Sequence, residues 1–322
     1  MQTFKNLAKR YKNFIILALI LTLALWVLIP QIDALKASLL ALKNADLVWV
    51  ILGLVVFFSG VLALTLQYII LALHKLVFKL TLQVECAELF VSRILPSGLG
   101  TVALNMYYLN QKKHTATQAT AVIAANGLTN AVAYIIIIII GFVISGFTFD
   151  IVDTQSYNIH INKIIYIIIA IIILIFLIYQ IPSIKNKVNT FIKSLLSNIQ
   201  SYRNRPKDLA LAVLLNGLGT FTGIFAIYAS AQALGVDLTL VQALLVYTAG
   251  NIMASLVPTP GGLGSAEAGI YAGLTIAGLS TVDAISVTML YRLISYWIPL
   301  LPGYIAFWHL RKSVLHKFSL KF

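Results

Sequence analysis

Long runs of Ile, Leu and Val alternate with short polar stretches along this chain. Each run has about the length that a helix needs to cross the roughly 30 Å hydrocarbon core of a bilayer. The pattern therefore predicts an all-α polytopic membrane protein with about six full transmembrane helices. The predicted spans are residues 14–29, 48–73, 119–145, 164–179, 209–234 and 284–309.

One Pro/Gly-rich sequence occurs twice between these spans. It reads Leu-Pro-Ser-Gly-Leu-Gly at 95–100 and Val-Pro-Thr-Pro-Gly-Gly-Leu-Gly at 257–264. Pro and Gly interrupt helices, and the freed backbone groups are tolerated at membrane depth only within protein or beside a cavity. We predict that 83–109 and 240–279 are re-entrant, Pro/Gly-broken helical hairpins. The first arm, 83–95, gives a helix of about 20 Å, which is too short to cross.

Positive charge sets the predicted orientation. Most of the 23 Lys and Arg residues lie at the termini and in alternate loops, and such loops are typically cytoplasmic. We therefore expect a multi-pass protein of the cytoplasmic (inner) membrane with both termini in the cytoplasm. The net charge of +13 then reflects topology and attraction to anionic lipid, so a nucleic-acid partner is not expected.

The two halves of the chain share one order of elements. Each reads span, span, hairpin, span, with nearly equal spacing and opposite starting sides, which indicates an inverted-topology repeat. We predict a single membrane domain over 1–322. Its parts are a first half at 14–145, an outer loop, fourth span and basic amphipathic inner linker at 146–208, and a second half at 164–310.

The candidate binding site lies where the two breaks would meet near the midplane. Thr101 and Ser265 are predicted to cap the helices after the breaks, whose free N–H groups attract anions. Arg292 lies inside the last span, where a charge costs at least about 2.5 kcal/mol, and Glu267 is its candidate partner. The predicted substrate-binding residues are Arg93, Pro96, Gly98, Gly100, Thr101, Asn105, Asn251, Pro258, Pro260, Gly261, Gly262, Gly264, Ser265, Glu267, Tyr291 and Arg292.

Simpler interpretations remain open for these features. The small residues can serve close helix packing, Arg292 and Glu267 can form a structural ion pair, and Arg93 can extend to the membrane interface. Glu85 and Glu88 lie one helical turn apart and could accept protons, although solvated interfacial acids are the commoner case.

Soluble-enzyme chemistry has no sequence signature here. The single cysteine, Cys86, excludes an internal disulfide, and the five histidines lack paired ligand spacing. Phosphate-binding, dinucleotide-binding and nucleophile-elbow motifs are absent from the sequence. We therefore predict no metal, no cofactor and no catalytic residue.

Two segments resemble a known family. Pro-Thr-Pro-Gly-Gly-Leu-Gly-Ser-Ala-Glu-Ala at 258–268 and Leu-Tyr-Arg-Leu-Ile-Ser-Tyr-Trp-Ile-Pro-Leu-Leu at 290–301 resemble the transmembrane region of lysylphosphatidylglycerol synthases and of flippase-like UPF0104 membrane proteins. The sequence at 93–100 is similar to the family's first motif. One departure is Ala266, which stands where relatives often carry Arg, so a further local positive charge is not expected.

The resemblance implies lipid movement rather than lipid synthesis. In the two-part synthases a soluble domain after the membrane region performs aminoacylation, and this sequence ends at Phe322 with a short basic tail, so synthase activity is not expected. The resemblance implies a partner among anionic or modified membrane phospholipids, and it leaves a homo-oligomer open. The alternatives are a membrane-embedded enzyme or enzyme subunit for lipid or glycolipid modification, which would use Glu85, Glu88 or Glu267, and a secondary transporter of small organic anions.

Overall fold

The computed structural model describes residues 32–43, 45–94, 98–144, 200–257 and 259–310, and this part of the chain contains helices and no β-strand. Its α-helices are α1 (Ile32–Lys43), α2 (Leu47–Leu71), α3 (Phe78–Ile94), α4 (Leu99–Gln111), α5 (Ala116–Ile144), α6 (Pro206–Ala233), α7 (Leu240–Leu256), α8 (Ser265–Ile276), α9 (Thr281–Arg292) and α10 (Ile298–Leu310). Short 3₁₀ turns occupy Gln200–Tyr202 and Pro260–Gly262, and a π-helical turn at Leu293–Trp297 joins α9 to α10.

Four helical segments are long and apolar enough to cross a membrane. They are Leu47–Leu71, Ala116–Gly141, Pro206–Ala233 and Thr281–Leu310, and they correspond to four of the six predicted spans. The other two predicted spans, 14–29 and 164–179, lie outside the described residues, as does most of the predicted basic linker.

Each predicted hairpin is a pair of shorter helices. The pairs are α3 with α4, of 17 and 13 residues, and α7 with α8, of 17 and 12 residues. α3 begins five residues earlier than predicted, because the N–H groups of Leu80 and Thr81 bond to Val77 O and extend the first turn. Its length is therefore about 25 Å, which is closer to a full crossing than expected. Re-entry of the hairpins stays a prediction.

Two apolar clusters hold the helices together at opposite ends of α2. Val50, near the start of α2, packs in a cluster with Ile227 of α6 and Leu290 of α9. Leu71, at the end of α2, packs in another with Leu109 of α4. α2 and α6 lie side by side at the centre, α3 packs on α10, and α7 packs on α8. The middle of α2 is thus left between the clusters, where it can line a site.

The α7–α8 pair is packed backbone to backbone. A Cβ on Gly269 would lie only 2.5 Å from Ala249 O, and one on Gly273 would lie 3.0 Å from Val246 Cα. Small residues allow this approach, as they do in many membrane helix pairs. Gly269 and Gly273 therefore serve close packing of α7 against α8, as the simpler interpretation of the small residues predicts.

The C-terminal end of α2 is tied to the second half of the chain. Tyr202 donates a hydrogen bond from its hydroxyl to Leu71 O at 2.5 Å. The guanidinium of Arg205 donates to Ile70 O at 2.7 Å and to Ala72 O at 3.1 Å. These side chains satisfy carbonyls that a helix end leaves free, and a cation there also complements the helix dipole.

His114 fixes the loop that follows α2. Its Nε2 accepts hydrogen bonds from the backbone N–H groups of Leu73 and His74, at 3.1 and 3.2 Å. Its Nδ1 lies 3.2 Å from Leu109 O, so the proton of the neutral ring belongs on Nδ1. Burial and the neighbouring His74 ring lower the pKa of His114 below its ordinary value of 6.5.

We predict that Gly269→Ala destabilises the protein by about 1 to 3 kcal/mol, because the new methyl group forces α7 and α8 apart. The matched control is Gly127→Ala in α5, where an added Cβ meets nothing within 4 Å. That variant should be neutral or slightly stabilising, since Ala favours helix more than Gly does. Thermal unfolding in detergent measures both, and equal stability of the two variants would contradict the packing assigned to Gly269.

We also predict that stability falls as the pH drops below about 6.5. The unfolded chain then binds a proton at His114 that the folded chain excludes, so acid favours unfolding. His114→Gln should reduce this loss, whereas His309→Gln, at an exposed ring, should retain it. The measurement is the unfolding temperature as a function of pH, and an unchanged profile in His114→Gln would contradict the role of His114.

Candidate functional site

A cavity of about 620 Å³ opens between the two apolar clusters, at the level of both Pro/Gly breaks. Gly98 from the first break and Gly261 and Gly262 from the second all line it. The other walls come from α2, α3, α6, α7, α8, α9 and the π-helical turn. Its volume lies in the range usual for small-molecule sites.

Arg292 and Glu267 form an ion pair beside this cavity. Arg292 Nε lies 2.8 Å from Glu267 Oε1, and the two side chains are 8% and 16% exposed. A second guanidinium nitrogen of Arg292 donates to Gly261 O at 3.3 Å. The predicted partner of Arg292 is therefore present, and the arginine also holds the backbone of the second break.

Glycines, and not the predicted caps, start both helices that follow the breaks. α4 begins after Gly98 and α8 after Gly264, and both glycines have positive φ, at 69° and 80°. Ser265 is the first helical residue, and the free N–H of Gly264 donates to Glu267 Oε2 at 2.7 Å instead. The predictions of Ser265 and Thr101 as caps are wrong, because a left-handed residue at the cap position requires glycine.

Arg93 completes the cavity from the first hairpin. It donates to Ser295 O at 2.9 Å, across the interface between α3 and the π-helical turn. An α-helix would direct the N–H of residue 299 at this oxygen, but residue 299 is a proline and has no N–H. Arg93 forms no ion pair with any residue that the structure describes, and its Nε has no hydrogen-bond acceptor there. Its guanidinium group is therefore directed at the last span.

Tyr296 links the two arginines. Its ring lies 4.5 Å from the guanidinium carbon of Arg292 and 5.1 Å from that of Arg93, measured to the ring centroid. The side chain is fully buried, and its hydroxyl has no partner among the described residues. Each guanidinium therefore has a cation–π contact with one shared ring. The sequence prediction missed Tyr296, although its position one turn after Arg292 could have indicated it.

The predicted site residues fall into groups. Those that line the cavity are Arg93, Gly98, Asn251, Gly261, Gly262, Tyr291 and Arg292. Those in or beside the second break are Pro260, Gly264, Ser265 and Glu267. Those that contact other residues of the first hairpin are Gly100, Thr101 and Asn105. Pro96 and Pro258 lie outside the described residues.

Three residues of the first hairpin that were predicted to bind substrate thus contact other parts of the hairpin and do not line the cavity. Gly100 serves close packing, since a Cβ there would lie 2.7 Å from Val91 O. Asn105 donates from its amide to the carboxylate of Glu88, and Thr101 also hydrogen-bonds Glu88. Thr101 and Asn105 are four residues apart, so they lie on the same face of α4, and this face meets Glu88 of α3.

The part of the cavity wall along α2 is apolar. Phe57, Val61 and Leu64 of α2 face the cavity, together with Gly219 and Gly223 of α6. The cavity therefore has a cationic part at the breaks and an apolar part along α2. In the described parts of the chain, no group of three or more His, Cys, Asp or Glu side chains could hold a metal ion.

Comparison with known sequences assigns the chain to a family. Residues 14–303 match the profile of the lysylphosphatidylglycerol synthase transmembrane region. The chain belongs to this family. It is accordingly a multi-pass membrane protein, and the matched region contains both breaks, Arg93, Glu267 and Arg292.

Two archaeal relatives carry the name UPF0104 membrane protein. The one from Methanocaldococcus jannaschii is 25% identical over 232 residues, which cover 70% of this chain and 97% of the relative. The one from Pyrococcus horikoshii is 33% identical over 120 residues, which cover 37% of this chain and 36% of the relative. No solved structure matches the chain.

We predict that Gly261→Ala destabilises the protein by more than the backbone strain at this position, because the new methyl group also collides with Tyr296. Gly261 has a φ of 61°, and a Cβ there would lie 2.7 Å from the Tyr296 ring. The matched control is Gly235→Ala, which has a similar φ of 67° but meets nothing within 4 Å. Each substitution should cost about 1 to 2 kcal/mol in backbone strain, and Gly261→Ala about 1 to 3 kcal/mol more. Thermal unfolding compares them, and equal losses would contradict the Tyr296 contact.

Proposed function

We propose that this family member moves an anionic phospholipid across the membrane, with the head group bound in the cavity between the Pro/Gly breaks. The observation that carries the proposal is the charge of the site. Arg93 and Arg292 line the cavity, and Glu267 is the one carboxylate paired with either of them among the described residues. The site therefore has one positive charge more than its acid neutralises, and a phosphate supplies the missing negative charge.

Guanidinium groups suit this ligand. Arginine presents planar, charged N–H donors that match phosphate oxygens, and such charge-assisted bonds are stronger than neutral ones. Arg93 keeps its Nε without an acceptor in the described part of the chain. A phosphate in the cavity would offer acceptors to the guanidinium group of Arg93 without breaking its bond to Ser295 O.

The apolar wall favours a lipid over a small soluble anion. A small organic anion would leave Phe57, Val61 and Leu64 in contact with water, whereas the glycerol and first acyl carbons of a phospholipid would cover them. Like a phospholipid, the cavity thus has a charged part and an apolar part. This is the reason to place lipid translocation ahead of organic-anion transport.

The order of helix lengths supports movement across the membrane. Each half contains a long helix, a 17-residue helix, a shorter helix and another long segment. Repeats of this kind in opposite orientation bring discontinuous helices to a midplane site in many transporters. We therefore propose that the hairpins are re-entrant and present the site alternately to the two sides.

The experiment is a lipid translocation assay in liposomes with fluorescent phosphatidylglycerol. We predict that Arg93→Gln slows translocation about 10-fold to 100-fold, since it removes a charged hydrogen bond to phosphate. Arg292→Gln should have at least this effect, because Glu267 would then repel the phosphate. The matched control is Arg203→Gln, which removes an exposed charge next to α6 and should leave the rate unchanged.

Several outcomes would contradict this proposal. Translocation no faster than in protein-free liposomes would do so, as would an unchanged rate in folded Arg93→Gln protein. Equal rates for phosphatidylglycerol and zwitterionic phosphatidylcholine would show that the charge of the cavity does not select the lipid. Mass spectrometry of the same liposomes tests the enzyme alternative, because a new lipid species would indicate chemistry instead of transport.

A further inference from the structure

A second polar cluster lies on the face of α3 that packs against α2 and α4. It contains Glu85 and Glu88, one helical turn apart, together with Asn105 of α4. These side chains do not belong to the cavity wall described above, although Arg93 of the same helix does. The interpretation of both acids as solvated interfacial residues is wrong for Glu85, because α2 and α4 cover α3 at this level and leave it 6% exposed.

The cluster contains more acceptors than donors. Glu88 accepts a hydrogen bond from the Asn105 amide group, and Thr101 also bonds it. Glu85 Oε1 and Asn105 Oδ1 are buried and have no hydrogen-bond partner in the described residues. Asn105 itself is 1% exposed. This unpaired oxygen lies on α4 and not on α3, so it is an observation independent of the two acids. It indicates that the site lacks a positively charged or hydrogen-donating ligand.

Two ionised carboxylates one turn apart would be strongly unfavourable here. Like charges repel, and burial removes the water that would screen them. No Lys or Arg side chain forms an ion pair with Glu85 or Glu88 in the part of the chain that the structure describes. The positive charge that balances the site must therefore come from outside the cluster.

The helices around α3 contribute other titratable and charged groups. α2 brings Tyr68, whose hydroxyl accepts from Asn126 at 3.0 Å, and α4 brings Tyr107 and Tyr108. Tyr108 shares a 2.7 Å hydrogen bond with Thr81. α10 brings Tyr304, in edge contact with Phe90, and the exposed His309. On α3 itself, Lys79 precedes the acids, Cys86 lies between them and Arg93 follows them.

We propose that Glu85 and Glu88 bind and release a proton as a unit, and that this protonation is coupled to ligand binding at Arg93. The chemistry is simple, since one carboxylate takes a proton from water and later returns it. The protonated carboxyl group gains an O–H that can donate to its neighbour or to Asn105 Oδ1. A divalent metal ion fits less well, because the described residues contain no group of three or more His, Cys, Asp or Glu side chains that could hold one.

The coupling part of this inference rests on the proposed function. Ser92 Oγ donates to Glu88 O at 2.6 Å, and Ser92 and Arg93 both line the cavity. Glu88 lies five residues before Arg93 on α3, so a change of charge at Glu88 acts within about one and a half helical turns of the cation that would hold the phosphate. Proton binding alone needs no lipid movement, so the two parts can be tested separately.

Infrared difference spectroscopy of the protein in liposomes tests proton binding. A shift from alkaline to mildly acidic pH should produce the C=O band of a protonated carboxyl group. Glu85→Gln and Glu88→Gln should each lose this band, because each leaves one acid that can stay ionised throughout. Glu88→Asp keeps the carboxyl group and should keep the band, which controls for folding. Asp237→Asn, at an exposed loop acid, is the matched control for the change of acid to amide and should also keep it.

The same liposomes, under a pH gradient, test the coupling. The gradient should accelerate translocation of phosphatidylglycerol by the wild-type protein, and both Gln variants should lose this acceleration. If the wild type moves no lipid yet shows the band, the proton site stands and the proposed function fails. If the band is absent from the wild type or persists in both Gln variants, the proton site is overturned. A band that responds to Na⁺ at constant pH would likewise overturn it in favour of a cation site.

Discussion

Backbone carbonyls that lose their helical donors must find new ones at membrane depth, and this constraint organises the centre of the protein. Pro299 removes the donor that an α-helix would direct at Ser295 O, and Arg93 supplies a replacement. The turn at Gly261 leaves another carbonyl free, and Arg292 bonds to it. Each arginine is therefore held by a backbone carbonyl where the regular α-helix is interrupted, Arg93 at the π-helical turn and Arg292 at the second Pro/Gly break.

The contacts of the two arginines also explain how their charges are stabilised inside the protein. Glu267 neutralises Arg292 and at the same time accepts from the N–H of Gly264, so one carboxylate satisfies an arginine and a helix start. Tyr296 offers its ring to both guanidinium groups. Arg93 obtains no carboxylate within the described residues, so its charge stays available to an anion. In the proposed function, this excess of positive charge, rather than the number of charges, is what would bind a phosphate.

The sequence was sufficient for features that depend on local composition. Hydropathy located the four spans that are described, and the helix dipole indicated Glu267 as the partner of Arg292. It failed where a contact depends on distant segments. Thr101 resembles a helix cap by residue type, but the left-handed Gly98 takes that place and Thr101 turns to Glu88. The burial of Glu85 and the contact of Tyr296 with both arginines arise from packing between helices. Residue spacing along a single helix does not predict such packing.

The packing of α3 shows how its two polar sites can act together. A Cβ on Gly303 of α10 would lie 2.8 Å from Phe90 N and 3.0 Å from Cys86 O, so α3 and α10 touch along their backbones. α10 continues from the π-helical turn that carries Ser295, the residue held by Arg93. Such closely packed elements transmit displacement, because they cannot deform independently. A charge change at Glu88 that shifts α3 must therefore move α10 with it, or break the bond that positions Arg93 in the cavity.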